Sequence, residues 1–224
     1  MTDAVLAALR GDGPAIAPVP VASATISATY VGHLVNAIKP DDHTQPLESD
    51  EVAFVLATSG STGAPRGVML TAASVHALTD QVTTPTTSWI LTLPLHSMGG
   101  FNVLLRQLAG GVDPVTLPSI GGAGPFRPEE FVAAVQTCDT TDLRVSMVPA
   151  QLRRLLEDAA ASEALQACSQ LLIGGGPLPR PVRDRAAELD LPITTTYGAT
   201  ETSGGCVYSG HPLDGVAVTV SEHG

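Results

Sequence analysis

Apolar positions recur at helical spacing over residues 3–10 and break at Gly11, Asp12, Gly13 and Pro14, which predicts a short amphipathic helix. Residues 15–39 carry no clear period, and Lys39, Pro40, Asp41 and Asp42, followed by Gln45 and Pro46, read as an exposed connection. From there strand-like and helix-like stretches alternate. Strands are predicted over 52–57, 89–95, 112–117, 143–148, 171–173 and 192–196, and helices over 69–81, 101–108, 128–136, 149–160 and 180–189. Local signals support several of these helices. Glu129 and Glu130 sit in a first turn, where they complement the helix dipole. Pro149 opens its helix at a position that tolerates proline, and Arg153 and Glu157 lie one turn apart. Strand–helix alternation of this kind argues for an α/β fold with layered, mainly parallel sheets covered by helices.

Composition narrows the class. The 224 residues are 44% hydrophobic, enough to fill a sizeable core, and show no internal repeat or low-complexity tract. Eleven basic residues against 22 acidic ones give a formal charge of −11, with no Lys/Arg cluster, so no nucleic-acid partner is expected. Cys138, Cys168 and Cys206 are odd in number and widely spaced, as for thiols in a reducing compartment. No apolar segment reaches the length of a membrane span, and the first ten residues lack a cationic stretch before an apolar core. A cytoplasmic location is the expectation.

Candidate chemistry concentrates in residues 57–70, Ala-Thr-Ser-Gly-Ser-Thr-Gly-Ala-Pro-Arg-Gly-Val-Met-Leu. Gly60, Gly63 and Gly67 allow positive φ and close approach of the backbone. Thr58, Ser59, Ser61 and Thr62 offer donors to phosphate oxygens, and Arg66 supplies charge. This is a phosphate-handling loop but not a Walker A loop, because Gly67 and Val68 follow the cation. Further on, an apolar strand runs into Gly174, Gly175 and Gly176. Backbone groups are exposed there at a strand's carboxyl end, where open α/β sheets bind ligands.

The loop resembles the Thr-Ser-Gly-(Ser/Thr)-Thr-Gly-x-Pro-Lys-Gly signature of the adenylate-forming superfamily, which comprises acyl-CoA synthetases, luciferases and peptide-synthetase adenylation domains. Arg66 replaces the usual lysine, keeping the charge but changing the shape of the contact. Residues 194–202, Thr-Thr-Thr-Tyr-Gly-Ala-Thr-Glu-Thr, resemble the superfamily's Tyr-Gly-x-Thr-Glu motif. The resemblance implies that Tyr197 and Gly198 meet adenine, with Gly174, Gly175 and Gly176 as the edge along which the base lies. It implies that Thr200 contacts the α-phosphate and that Glu201 helps hold Mg²⁺. Those roles suit a flat amphipathic ring, a small donor and a hard oxygen ligand.

Residues 93–106 resemble the Leu-Pro-Leu-Phe-His-x-x-Gly stretch that lines the acyl pocket of acyl-CoA synthetases. The register departs from the pattern: His96 falls where the aromatic residue stands and Ser97 where the histidine stands. By this resemblance His96, Ser97 and Gly100 line the substrate site. Arg106 ends an otherwise apolar helical run, where a cation suits a substrate with a second carboxylate. An arginine here is a feature of the o-succinylbenzoate–CoA ligases of menaquinone biosynthesis. Only 56 residues precede Ala57 and Lys39 is the sole lysine, features that resemble the compact actinobacterial members of that subfamily.

The resemblance implies an ATP-dependent acid–CoA ligase. A substrate carboxylate attacks the α-phosphate of ATP, pyrophosphate leaves, and the CoA thiol then takes the acyl group. The implied cofactor is Mg²⁺ and the implied partners are a carboxylic acid, ATP and CoA, with a homodimer left open. Two alternatives stand beside it, an aryl- or medium-chain acyl-CoA synthetase and a non-catalytic nucleotide-binding fragment. Residues 1–50 are expected to be a shortened amino-terminal segment packing on the core, and 51–224 a truncated ATP- and acyl-binding domain. The end of the chain, residues 216–224, resembles the strand that precedes the superfamily's ribose-binding aspartate, so a carboxyl-terminal domain is expected beyond it.

Overall fold

The computed structural model describes residues 2–40, 47, 49–58, 65–121 and 124–219. Two helices, α1 (Thr2–Arg10) and α2 (Ala28–Ile38), precede a hairpin of β1 (Val52–Thr58) and β2 (Arg66–Thr71). The chain then runs through α3 (Ala72–Val82), β3 (Ser88–Leu91), α4 (Met98–Ala109), β4 (Val115–Thr116), α5 (Pro128–Thr137), β5 (Leu143–Met147), α6 (Pro149–Leu156) and α7 (Ala159–Gln166). It continues with β6 (Gln170–Ile173), α8 (Arg180–Glu188), β7 (Ile193–Ala199), β8 (Gly204–Tyr208) and β9 (His211–Pro212).

Strands β4, β3, β5, β6 and β7 lie side by side in that order and run parallel; β8 and β9 extend the sheet antiparallel. Alternation along the strands sorts side chains onto two faces. Ile90, Val145, Leu171 and Ile173 pack on one side with Phe131 of α5, Leu152 and Leu155 of α6, Leu165 of α7 and Ala186 of α8. Trp89, Leu91 and Leu172 point the other way, onto Val103 of α4. A continuous apolar run such as Leu171–Ile173 is what a strand buried on both faces requires.

Helix α4 is enclosed from Gly100 to Leu108 because a third layer covers its outer side. There Phe101, Leu104 and Leu105 pack with Val5 and Leu9 of α1, Phe54 and Leu56 of β1, Leu70 of β2 and Val75 of α3. Phe54 and Phe101 meet edge to face, 4.9 Å between centroids.

Several elements differ from their sequence-based expectation. Residues 66–71 form a strand antiparallel to β1, and the helix expected from residue 69 starts at Ala72. Thr71 caps it by accepting from the amide of Ser74 at 3.1 Å. The short apolar run 68–70 fits either period, and pairing with β1 decides it. Helix α2 arises in the stretch without a clear period, started by Ser27, whose hydroxyl accepts from the Tyr30 amide. The helix expected over 149–160 is two helices, because the Asp158 carboxylate accepts from the Ala161 amide at 2.8 Å and restarts the chain. Strands expected over 89–95 and 112–117 are confined to β3 and β4. β8 was not anticipated at all.

Candidate functional site

The parallel strands β3, β5, β6 and β7 direct their carboxyl ends toward one cavity of about 600 Å³. Met147 and Val148 follow from β5, Gly174 and Gly175 from β6, and Thr196, Gly198 and Ala199 belong to β7. Thr58 at the end of β1 and Tyr30 and Leu34 of α2 close it from the third layer, while α4 and its leading loop add His96, Ser97, Asn102 and Arg106.

Local chemistry shapes these walls. Gly175 has φ +76°, and a Cβ at Gly174 would stand 2.5 Å from the Thr196 hydroxyl, so glycine lets β6 pass close to β7. The β7–β8 corner is fixed by Thr202, whose hydroxyl meets the Ala199 amide at 2.9 Å and donates to the Gly204 carbonyl at 2.7 Å. That bonding holds the one-turn 3₁₀ segment Thr200–Thr202 at the rim, with Glu201 exposed. Ser97 caps α4, accepting from the Gly100 amide and donating to the Pro94 carbonyl. The ring of His96 meets Tyr30 edge-on at 5.9 Å, and burial pushes its imidazole below the ordinary value.

Arg106 is 3% exposed. Its guanidinium lies over the Trp89 ring, 4.9 Å from the centroid, and Nη2 donates to the Tyr208 hydroxyl at 3.0 Å. Its Nε is buried without a partner, and among the described residues no carboxylate pairs with it. Burial holds the guanidinium below its ordinary value despite the nearby Tyr208 hydroxyl. A buried cation costs several kcal/mol in desolvation unless a counter-charge meets it, so this arrangement suits a bound anion.

Among the residues singled out from sequence, Thr58, His96, Ser97, Arg106, Gly174, Gly175, Gly198 and Thr200 share this one cavity. Gly176, Tyr197 and Glu201 stand outside its lining, and Tyr197 is 73% exposed. Arg66 and Gly67 lie on β2, with Arg66 opposite Thr58 in the ladder and Gly67 packed against α2, where a Cβ would come within 3.1 Å of the Ala37 carbonyl. Gly100 serves packing: a Cβ would run into the carbonyls of Leu93 and Pro94. Ser59, Gly60, Ser61, Thr62 and Gly63 lie outside the described residues. Sequence reasoning missed Asn102, Tyr208 and Trp89. A polar Asn102 one turn before Arg106, in a mostly apolar helix, was the available signal.

Residues 8–222 match the AMP-binding enzyme family. The chain belongs to that family. It is 40% identical over 217 residues to a probable 2-succinylbenzoate–CoA ligase of Mycobacterium tuberculosis, covering 95% of this chain and 52% of the relative. It is 29% identical to a 2-succinylbenzoate–CoA ligase of Bacillus cytotoxicus over 68% of this chain and 31% of that one. The chain thus spans about half the length, or less, of these curated relatives. Among solved structures, o-succinylbenzoate coenzyme A synthetase from Bacillus subtilis in complex with AMP aligns with TM-score 0.61 at 23% identity, covering 96% of this chain and 59% of that one. The N-terminal subdomain of NpsA from Klebsiella oxytoca aligns with TM-score 0.73 at 17% identity, over 94% and 64%. At such identities these two likenesses speak for the fold: a mostly parallel sheet flanked by helices, as in the N-terminal domains of adenylate-forming enzymes.

Proposed function

We propose that this chain is the nucleotide- and acid-binding part of an AMP-forming acid–CoA ligase whose acid is 2-succinylbenzoate. The observation that carries the reading is Arg106, a buried guanidinium that no carboxylate among the described residues meets, on the wall of the cavity that takes the strand ends. A monocarboxylate places its single charge at the reacting phosphorus and leaves Arg106 unmatched. An aromatic diacid supplies the second charge, and this favours 2-succinylbenzoate over aryl or medium-chain monoacids. The 40% identity to a mycobacterial ligase of that name supports the choice.

In this reading adenine lies between Tyr197 and the glycine edge at 174–176, and the phosphates meet loop 58–67 and Thr200. The reacting carboxylate oxygen bonds to the α-phosphorus as the bond to pyrophosphate breaks. The CoA sulfur then bonds to the acyl carbon, the thiol proton is lost and AMP leaves. Side chains contribute positioning and electrostatics rather than covalent chemistry. No group of three or more metal-ligating side chains occurs among the described residues. Mg²⁺ is commonly bound through one or two carboxylates plus substrate phosphates. Glu201, exposed at the rim beside Thr200, is the carboxylate that would hold it, and the ion would neutralise charge on the phosphates.

Because this chain spans about half the length of its curated relatives, the test is pyrophosphate release by the complete gene product with MgATP and a panel of acids. Release is expected with 2-succinylbenzoate and much less with benzoate or octanoate. Release that ignores the second carboxylate overturns the choice of acid, and no acid-dependent release overturns the activity.

A further inference from the structure

Helix α4 grips the β7–β8 hairpin at two points one helical turn apart. Asn102 Nδ2 donates to the Ser203 carbonyl at 2.9 Å, and Arg106 Nη2 donates to the Tyr208 hydroxyl at 3.0 Å. Helix α4 buries three polar side chains, Asn102, Arg106 and Gln107; Gln107 is satisfied at Thr87 and Trp89, whereas Asn102 and Arg106 line the cavity. Each also keeps an atom without a partner, Asn102 Oδ1 and Arg106 Nε. Helix packing alone would be served at least as well by leucine at 102, since a buried amide with an unmet acceptor is costly.

The far end of the Asn102 contact is unusual. Ser203 is buried with φ +57°, a left-handed conformation uncommon for a serine. Asn102 holds its carbonyl, and Ser74 of α3 meets its hydroxyl at 3.1 Å. The next residue, Gly204, has φ +118°, and a Cβ there would collide with the Asn102 amide. Ser203 directly follows Thr200–Thr202, so whatever holds Ser203 sets where Thr200 and Glu201 stand.

We propose that Asn102 is a positioning residue that couples occupancy of the anion subsite at Arg106 to nucleotide binding at Thr200 and Glu201. The inference rests on the functional reading above. An acid carboxylate on Arg106 fixes the guanidinium that holds Tyr208, and so fixes β8 against α4. Asn102 carries the same constraint to Ser203 at the start of that strand. Nucleotide binding to an already ordered corner then pays less ordering entropy, which makes the coupling positive and, by linkage, reciprocal.

The experiment titrates the purified protein by calorimetry with MgATP, alone and with saturating 2-succinylbenzoate, and then in the reverse order. At least about a fivefold tightening of each ligand by the other is expected. Asn102→Leu is expected to bring that ratio below about twofold. A merely structural asparagine would lower the melting temperature and both affinities while preserving the ratio, which would overturn the inference. Tyr208→Phe removes one oxygen from the other contact and is expected to reduce the ratio in the same direction, which keeps the test decisive if Asn102→Leu does not fold. A full ratio in Tyr208→Phe overturns the proposal. Wild-type protein that binds both ligands independently also overturns it but leaves the functional reading standing. Failure to bind either ligand removes both.

Discussion

Two arginines close enough to influence one another have opposite surroundings. Arg144 on β5 forms two hydrogen bonds with Asp142, at 3.0 and 3.1 Å. Asp142 in turn accepts from the hydroxyls of Thr87 at 2.7 Å and Ser169 at 2.6 Å, so a single carboxylate ties together the amino ends of β3, β5 and β6. Arg106, across the same face of the sheet, has a phenol, an indole and an unspent Nε. The saturated node fastens strands in register. The unsaturated one stands at a cavity wall, where an unmet charge is of use only to something that arrives with the opposite sign. For these two arginines the satisfied one marks structure and the unsatisfied one marks the site, although the unmet hydroxyls of Thr83 and Ser119 lie outside that cavity.

The sharpest way to break this comparison is to remove the unsatisfied charge and measure binding. Arg106→Ala is expected to weaken 2-succinylbenzoate by about 2–4 kcal/mol, roughly thirty- to a thousandfold, and benzoate far less. Calorimetry with the two acids measures the difference. Equal losses on both would make Arg106 a structural residue like Arg144.

The opposite variant strikes the satisfied end. The Arg144 hydrogen bonds, with those from Ser169 and Thr87, hold the Asp142 carboxyl down to about 2 from an ordinary 3.8. A carboxyl whose folded value is depressed stabilises the protein fully above its unfolded value and loses that contribution as pH falls through the folded one. Asp142 thus contributes about 2 kcal/mol at neutral pH, lost between about pH 4 and pH 2. Asp142→Asn is expected to cost about that much in urea denaturation at pH 7 and to flatten the pH dependence between 4 and 2. An unchanged slope there would show that the node does not govern acid stability.

How far each region was legible from sequence follows the same division. The glycines at 174–176 were readable because a strand running into glycines exposes backbone at a sheet's carboxyl edge, and Gly174 and Gly175 do line the cavity. Arg106 was readable because charge in an apolar helical run needs a reason. Tyr208 was not, and Asn102 offered only its polarity within the helix, since the roles of both come from contacts 102 and 101 residues away in sequence, which no local period encodes. Helix α2 escaped because its apolar face covers the hairpin instead of the main sheet and buries only Leu34 fully. The Asp142 node was invisible for a similar reason: Thr87, Asp142 and Ser169 read singly as loop residues, and only the parallel register brings them to one point.

The smallest predicted effect is also the most direct check that the two arginines differ in kind. Arg106→Met fills similar volume with an unbranched apolar chain beside Trp89. It forfeits a cation–π contact, typically about 0.5–2 kcal/mol, and one hydrogen bond to Tyr208, whose hydroxyl is half-buried and can turn to water. Against that it relieves a buried charge without a counter-ion, a desolvation penalty of several kcal/mol. Relief is expected to win narrowly, so that the variant unfolds at higher urea with about 1 kcal/mol of added stability in the absence of ligand. Arg144→Met is expected to do the reverse, because it strands the Asp142 carboxylate among two hydroxyls. If both variants lose stability alike, Arg106 is held by the fold and not in readiness for an anion.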